Sequence, residues 1–278
     1  MTIKLVALDL DGTTLNNDRV ISERNREAMR RAAEQGVNIV IATGRPLSAL
    51  PPDVFEIEAI RYALTSNGAS ITDIREHTTF YENCLSPVAV RAAVRFLEQQ
   101  PYVLETFVKG VAYINGDYYQ KVKETRQCFR SVDYILNTRN PVDDIYDFMR
   151  EHENELENIN VNFEDEQLYQ KPDIYQKLLQ LPETTITSSF DHNLGIGGAT
   201  TSKADALRQM GKLLGITQDE MMAIGDSPND IAMLLESGTP AAVGNAKPEV
   251  KKIAKYIAPT NHEDGVGEAI ERFVLGMV

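Results

Sequence analysis

The sequence contains little cysteine, no long apolar segment and no run of basic residues. Its two cysteines, Cys84 and Cys128, lie far apart, and so few thiols in 278 residues indicate a reducing compartment rather than a disulfide framework. A transmembrane helix needs about 18 consecutive, mainly apolar residues, and no such stretch occurs. The N-terminus leads directly into a strand-like segment and lacks the pattern of a signal peptide. We therefore expect a cytoplasmic protein with no membrane span.

Acidic residues outnumber basic ones. There are 28 lysines and arginines against 41 aspartates and glutamates, which gives a formal net charge of −13. Because a nucleic-acid backbone would require clustered basic side chains, we expect no nucleic-acid partner. An anionic substrate such as a phosphate ester would need a locally positive site or a bound metal ion. Nothing in the sequence indicates an oligomeric state.

Several short apolar runs each end in a cluster of small or polar residues. These runs are 4–8, 37–42, 62–64, 221–224 and 241–243. Near-continuous apolar runs of this length predict strands buried on both faces, and hence a parallel sheet. Helices are predicted between them, for example from a Ser22 cap to Glu34. Alternating strands and helices favour a doubly wound α/β fold, in which ligands bind beyond the carboxyl ends of the strands.

The middle of the chain has a different composition. Residues 84–192 are richer in tyrosine, asparagine and glutamate, and they mix strand-like with helical segments. The predicted strands are 111–114 and 159–163, and the predicted helices are 87–99 and 141–152. We therefore predict an α+β domain at 84–192, inserted into a core domain formed by residues 1–83 and 193–278.

Two carboxylates directly follow the first predicted strand. The period of two along a strand makes Asp9 and Asp11 project to the same side, and Gly12 permits a tight turn. Carboxylates that face the same way repel each other unless a cation or a proton lies between them, and oxygen ligands of this kind suit Mg²⁺. An ordinary Asp-Gly turn is the alternative interpretation.

Three further segments carry polar groups at the ends of predicted elements. Asp226, Asn229 and Asp230 lie where a strand meets a helix, although Asp and Asn are also common helix caps. Thr43-Gly44-Arg45 follows another strand, and Lys203 opens a helical segment; a turn and a surface charge are the simpler explanations. The order of the four segments, all at element ends, favours one common site.

Together these segments resemble the four motifs of the haloacid dehalogenase (HAD) superfamily of phosphatases, specifically the Cof-type branch with a large inserted cap. The matching motifs are Asp9-Leu10-Asp11-Gly12-Thr13, Thr43-Gly44-Arg45, Lys203 and Gly225-Asp226-Ser227-Pro228-Asn229-Asp230. Asn67-Gly68-Ala69 also resembles a segment that this branch carries just before its cap. The resemblance covers the whole chain. It implies a Rossmann-like core, a C2-type cap that sets specificity, and Mg²⁺-dependent hydrolysis of a phosphate ester.

The resemblance also implies a role for each matching residue. Asp9 would be the nucleophile that forms an aspartyl-phosphate, and Asp11 would be the acid–base group. Mg²⁺ would be held by Asp9, the backbone carbonyl of Asp11, and Asp226. Thr43 and Lys203 would bind the transferred phosphoryl oxygens. The remaining implied residues are Asn229 and Asp230 around the metal shell, and Gly12, Gly44, Arg45, Asn67 and Asn229 for phosphate or substrate.

Two positions depart from the branch. Gly195 stands where a glutamate often precedes the motif lysine, and Ala204 stands where a glycine often follows it. We expect the core chemistry to survive because Lys203 is kept, and we expect the difference to affect substrate contacts near this segment.

The resemblance implies a small phosphorylated metabolite, such as a sugar phosphate, as the substrate. Two alternatives stay open. A phospho-acceptor signalling or sensing protein can carry similar acidic residues around Mg²⁺, but such proteins lack an acid two residues after the nucleophile, where this chain has Asp11, and they lack an inserted cap. A phosphomutase on the same core would release no free phosphate.

Overall fold

The computed structural model describes residues 2–277, which form two compact units. The first, which we call the core unit, comprises the chain up to Gly44, Leu50–Tyr81, and the chain from Ser202 onward. The second, which we call the inserted unit, comprises Arg45–Ala49 and Glu82–Thr201. The chain therefore leaves the core unit and later returns to it.

The strands are β1 (Leu5–Asp9), β2 (Asn38–Ala42), β3 (Ile60–Thr65), β4 (Ser70–Asp73), β5 (Thr78–Glu82), β6 (Val103–Val108), β7 (Val111–Asn115), β8 (Arg139–Val142), β9 (Leu156–Asn162), β10 (Thr184–Thr187), β11 (Asn193–Gly198), β12 (Met221–Gly225), β13 (Thr239–Ala242) and β14 (Tyr256–Ile257). The α-helices are α1 (Glu23–Glu34), α2 (Pro52–Glu56), α3 (Pro87–Leu97), α4 (Gly116–Thr125), α5 (Val132–Thr138), α6 (Ile145–Glu151), α7 (Lys171–Leu178), α8 (Lys203–Leu214), α9 (Ile231–Leu235), α10 (Pro248–Ile253) and α11 (Gly265–Phe273). Within residues 2–277, no helix is both long enough and apolar enough to cross a membrane.

The core unit is built on an eight-stranded sheet in the order β14-β13-β12-β1-β2-β3-β4-β5. The strands from β14 to β3 are parallel, and β4 runs antiparallel beside β3. The central strands β1 and β12 are buried along their whole length, as expected of apolar strands covered on both faces. The α/β fold with a parallel sheet, predicted from the apolar runs, is confirmed.

Local sequence signals set where the core helices begin. The Ser22 hydroxyl accepts a hydrogen bond from the Asn25 N–H, which satisfies one of the amides left free at the start of α1. Ser202 caps α8 in the same way through the N–H of Asp205. Because Ser202 determines where α8 begins, Lys203 is the first residue of that helix.

The inserted unit is built on a six-stranded sheet in the order β10-β11-β9-β6-β7-β8. Its strands pair antiparallel, except for β7 with β8, which are parallel. One face packs against α3, α6 and α7 in a core that includes Ile159 and Val161 of β9. A smaller core joins Ile114 of β7 to α4 and α5. The inserted unit is thus a sheet with helices and a core of its own.

Two boundaries predicted in this region differ from the structure. The second core segment is expected to begin at 193, but β11 pairs with β9 and β10, so the chain re-enters the core unit only at Ser202. The glycines of β11 carry little side-chain signal for a strand. The helix expected at 141–152 begins at Ile145, because Pro141 lies in β8 and Asp144 caps the helix.

Candidate active site

The predicted site residues follow the carboxyl ends of neighbouring strands in the core sheet. Asp9 is the last residue of β1, Thr43 follows β2, and Asp226 follows β12. Because β12, β1 and β2 are parallel neighbours, these three residues emerge at the same edge of the sheet. Asp9 and Thr43 are buried there, and Asp226 is half-buried.

A buried lysine joins two carboxylates at the centre of the site. Lys203 is 1% exposed, and its Nζ lies 2.5 Å from Asp9 Oδ1 and 2.6 Å from Asp230 Oδ1. Both acids are buried as well. An ammonium group at this depth needs paired partners, so the surface-charge interpretation of Lys203 is wrong.

The turn after β1 holds Asp226 in place. Gly12 has a φ of 82°, in the left-handed region, and a Cβ on it would lie 2.8 Å from Asp226 Oδ2. Thr13 Oγ1 donates to Asp226 Oδ1 at 2.9 Å, and Asn245 Nδ2 donates to the Gly12 carbonyl at 2.8 Å. Glycine at 12 is therefore needed both for the turn and for the close approach of Asp226.

A second left-handed turn packs against the start of the helix that carries Lys203. Asn67 and Gly68 follow β3 with φ values of 57° and 98°, and the Asn67 N–H donates to the Thr43 carbonyl at 3.0 Å. A Cβ on Gly68 would lie 2.2 Å from the carbonyl oxygen of Ser202. The absence of a side chain at 68 therefore allows the contact that sets the position of α8.

Three carboxylates share this site with one lysine. Ligand atoms of Asp9, Asp226 and Asp230 all lie within 4.8 Å of one another. Burial raises the pKa of Asp9 well above its ordinary value, and the charge of Asp230 raises it further. Burial and Asp230 also raise the pKa of Asp226. Burial lowers the pKa of Lys203, but the charges of Asp230 and Asp9 outweigh that effect and raise it overall.

Hydrogen bonding separates the roles of the three acids. Asp230 Oδ1 accepts from Lys203, and Asp230 Oδ2 accepts from the N–H groups of Asp226 and Ser227, both at 3.0 Å. The partners of Asp230 are the ammonium group of Lys203 and two backbone amides, whereas those of Asp226 are two hydroxyls, so Asp230 is suited to positioning its neighbours. Asp9 and Asp226 offer the carboxylate oxygens that a hard divalent cation prefers, so the donor set fits such an ion.

The other predicted residues lie around this cluster or in the inserted unit. Asp11 has an exposed side chain in the turn after β1 and lies outside the three-acid cluster. Asn229 Nδ2 donates to Asn67 Oδ1 at 3.1 Å, which links the last motif to the turn after β3. Arg45 belongs to the inserted unit, where its guanidinium carbon lies 5.1 Å from the centre of the Tyr134 ring.

Two hydroxyl residues near Asp226 received no role from the sequence. Thr13 Oγ1 and Ser227 Oγ each donate to Asp226, both at 2.9 Å. Ser227 stands directly beside Asp226 within the last motif, and short hydroxyl side chains commonly bond to groups near them in the chain. That proximity could have identified Ser227. Thr13 is 213 residues away from Asp226 in the sequence, and only the sheet order brings them together.

A family model described as haloacid dehalogenase-like hydrolase matches residues 6–270. The chain is 31% identical over 275 residues to the 5-amino-6-(5-phospho-D-ribitylamino)uracil phosphatase YcsE of Bacillus subtilis (strain 168), with 98% of this chain and 96% of the relative covered. It is 28% identical over 275 residues to the phosphoglycolate phosphatase of Methanobrevibacter smithii, with 99% and 100% covered. A solved haloacid dehalogenase-like hydrolase from B. subtilis matches with a TM-score of 0.82 at 29% identity, with 97% and 99% covered. These similarities extend over both units.

Replacing Gly68 tests the packing that positions Lys203. Gly68→Ala adds both backbone strain and a clash with Ser202, so it should cost about 2 kcal/mol or more and slow hydrolysis of p-nitrophenyl phosphate. Gly215→Ala is the matched control, since Gly215 has a φ of 66° with no atom within 4 Å of the added Cβ. It should cost about 1 kcal/mol and leave the rate unchanged. Thermal unfolding and initial rates measure both effects, and equal losses in the two variants would contradict this account.

Proposed function

The chain belongs to the haloacid dehalogenase-like hydrolase family and is a phosphoric monoester hydrolase, and we propose that it uses Asp9 as a nucleophile with the help of Mg²⁺. The observation that carries the proposal is the buried contact of Lys203 with Asp9 and Asp230, beside Asp226. Lys203 holds one oxygen of Asp9 and so gives the other a defined direction. The excess of carboxylates over ammonium groups supports the binding of a divalent cation.

In the first proposed step, Asp9 attacks the phosphorus of the ester. A bond forms between a carboxylate oxygen and phosphorus as the bond to the alkoxide breaks, which gives an aspartyl-phosphate. Asp11 gives its proton to the departing alkoxide. The exposure of Asp11 supports this role, because a group that exchanges protons with the substrate must be accessible.

In the second proposed step, water attacks the same phosphorus. Asp11, now a carboxylate, takes a proton from the water, and the bond to Asp9 breaks, which restores the enzyme and releases inorganic phosphate. Lys203 and Thr43 would bind the phosphoryl oxygens, whose negative charge Lys203 balances in both steps. The burial of Lys203 supports this role because its charge acts there with little screening by solvent.

A bound Mg²⁺ would reduce the repulsion between the anionic nucleophile and the anionic ester. Asp9, the backbone carbonyl of Asp11, and Asp226 are the proposed ligands, and Asn229 and Asp230 would position them. Burial and the charge of Asp230 raise the pKa values of Asp9 and Asp226, so the ionised forms of these two acids are poorly compensated by the protein alone. A bound cation would favour the ionised forms, which supports this assignment.

The proposed substrate is a small phosphorylated metabolite. The two relatives described above are named for phosphomonoesters of small molecules, one on a ribitylaminouracil and one on glycolate.

The proposed location is the cytoplasm. Cys84 and Cys128 are both free thiols, which supports this location.

Asp226→Asn tests the proposed metal site. A ligand that binds only the folded protein stabilises it by about 2.7 kcal/mol at a hundred times its Kd, so Mg²⁺ should raise the melting temperature of the wild type. The substitution removes one anionic ligand and should abolish this shift. Asp219→Asn, at an exposed acid of the core unit, should retain it. Thermal melts with EDTA and with Mg²⁺ provide the readout, and a full shift in Asp226→Asn would exclude this ligand.

Asp9→Asn and Asp11→Asn separate the two proposed steps. Asp9→Asn should abolish hydrolysis of p-nitrophenyl phosphate in a folded protein, because the amide does not replace the carboxylate nucleophile. Nitrophenolate leaves without protonation, so Asp11→Asn should still release about one equivalent of it in a burst and then turn over slowly for lack of a base. Stopped-flow absorbance measures both. Sustained turnover by Asp9→Asn would rule out the nucleophile.

A further inference from the structure

Two asparagines outside the four motifs contact the loop that carries Asp11. Asn245 follows β13, and Asn261 lies shortly after β14. Because β13 and β14 run parallel to β12, their carboxyl ends lie at the same edge of the sheet as Asp9 and Asp226. No step of the proposed reaction uses either asparagine.

The side chain of Asn245 joins two segments of the chain. Its Nδ2 donates to the Gly12 carbonyl at 2.8 Å, and its Oδ1 accepts from the main-chain N–H of Asn261 at 2.9 Å. Asn245 is exposed, and water serves the amide of an exposed asparagine well. Fixing the amide in one orientation costs side-chain entropy. An asparagine that bonds at both ends to main-chain groups is therefore suited to holding those groups in place.

The side chain of Asn261 reaches the far end of the same loop. Its Nδ2 donates to the Leu15 carbonyl at 2.8 Å in a buried contact. Since the main chain of Asn261 also bonds to the side chain of Asn245, the two residues form one unit, which we call the asparagine brace. The brace holds the loop at two carbonyls, those of Gly12 and Leu15.

The segments that carry the brace are bonded to each other. The Gly244 N–H donates to the Pro259 carbonyl at 3.0 Å, and the Ala258 N–H donates to the Ala242 carbonyl at 2.8 Å. These main-chain bonds continue the pairing of β13 with β14 towards the two asparagines. Groups supported by regular elements are positioned more precisely than groups on unsupported loops.

The loop after β1 presents Asp11 on a tight turn. Asp11 has a φ of −80° and a ψ of 117°, and Gly12 has a φ of 82° and a ψ of −5°. These are the angles of a type II turn with glycine as its third residue. The Thr14 hydroxyl donates to the Asp9 carbonyl at 2.5 Å, which holds the loop where it leaves the strand. The brace instead holds Gly12, directly beside Asp11.

Asp226 has supports of its own. Ser227 Oγ donates to Asp226 Oδ2 at 2.9 Å, and the Lys247 N–H donates to the Asp226 carbonyl at 2.9 Å. Asp11 lies outside the three-acid cluster, and the direction of its exposed side chain depends on the backbone of the turn. The brace therefore acts most strongly on Asp11.

We propose that Asn245 and Asn261 are positioning residues that aim the Asp11 carboxyl group at the oxygen of the leaving group. This role rests on the proposed function, in which Asp11 is the acid–base group. A general acid must lie within hydrogen-bond reach of the departing oxygen, so a small displacement of the turn slows the steps that need its proton. The brace acts through Asp11 and exchanges no proton itself.

Two aryl phosphates separate this role from a general loss of structure. The nitrophenolate of p-nitrophenyl phosphate leaves without a proton, whereas the more basic phenolate of phenyl phosphate needs one. With saturating Mg²⁺, Asn245→Ala should lower kcat/KM for phenyl phosphate roughly tenfold and leave kcat/KM for p-nitrophenyl phosphate within about twofold. Asn261→Ala should show the same selectivity.

Asn38→Ala is the matched control. Asn38 Nδ2 donates to the Lys4 carbonyl at 3.2 Å, so this variant loses the same kind of bond at the amino end of β2. Asn245→Ala and Asn38→Ala should each lower the melting temperature by roughly 2–4 °C, and Asn38→Ala should change neither value of kcat/KM. A selective loss in Asn38→Ala as well would assign the effect to stability and overturn the positioning role.

A double-mutant cycle shows whether the brace acts through Asp11. Asp11→Asn has no acid left to aim, so adding Asn245→Ala should change kcat/KM for phenyl phosphate by less than about twofold. Single turnovers with excess enzyme measure these slow variants. A further loss of about tenfold in the Asp11→Asn background would show that Asn245 acts on another group, which overturns the proposed role.

The remaining outcomes separate the brace from the proposed function. An unchanged rate in Asn245→Ala, or equal losses for the two aryl phosphates, overturns the role of the brace. The proposed reaction then stands if Asp11→Asn itself loses hydrolysis of phenyl phosphate selectively. An Asp11→Asn protein that hydrolyses phenyl phosphate as fast as the wild type contradicts the acid–base role of Asp11, and the role of the brace with it.

Discussion

The buried ammonium of Lys203 is the interaction on which the rest of the site depends. It contacts Asp9, 194 residues away in the sequence, and Asp230, which follows β12. The parallel order of β12, β1 and β2 brings the acids to one edge, the Ser202 cap starts the helix that carries the lysine, and the turn at Gly68 packs against that cap. Removing one partner of a buried ion pair costs about 3–5 kcal/mol. The strand order, the start of the helix and the turn must therefore all be in place for Lys203 to be paired.

The core unit and its acids could be predicted because each has a local signal. A parallel strand buried on both faces is a short apolar run, and the residues after it lie at the ligand-binding edge of the sheet. Asp9, Thr43 and Asp226 were therefore expected at one edge, and the structure brings them there. The contacts that hold these residues in place have no local signal in the sequence. Both oxygens of Asp230 are used by Lys203 and by backbone amides, which only the folded chain reveals.

The existence of the inserted unit could be predicted from the sequence, but its boundaries could not. β11 contains three glycines, at 195, 197 and 198, and its strand conformation comes from pairing with β9 and β10 rather than from local propensity. Arg45 follows a core strand in sequence, yet it belongs to the inserted unit, where the neighbouring Ser48 N–H bonds to the Gly110 carbonyl at 2.8 Å. In the sequence, the asparagines of β9 look like ordinary polar residues of a strand. Their burial, and the lack of a hydrogen-bond partner for Asn158 Oδ1 and Asn162 Oδ1 within residues 2–277, depend on long-range packing.

In the proposed reaction, the Lys203-bound carboxylate of Asp9 becomes phosphorylated during each turnover. The most direct measurement is to quench the enzyme during hydrolysis with sodium borohydride, which reduces an aspartyl-phosphate to homoserine, and to locate that residue by peptide mass spectrometry. We predict modification at Asp9, dependent on both substrate and Mg²⁺. Modification at Asp11, at Asp226 or at any other acid, or an unmodified Asp9 while phosphate is being released, would contradict it.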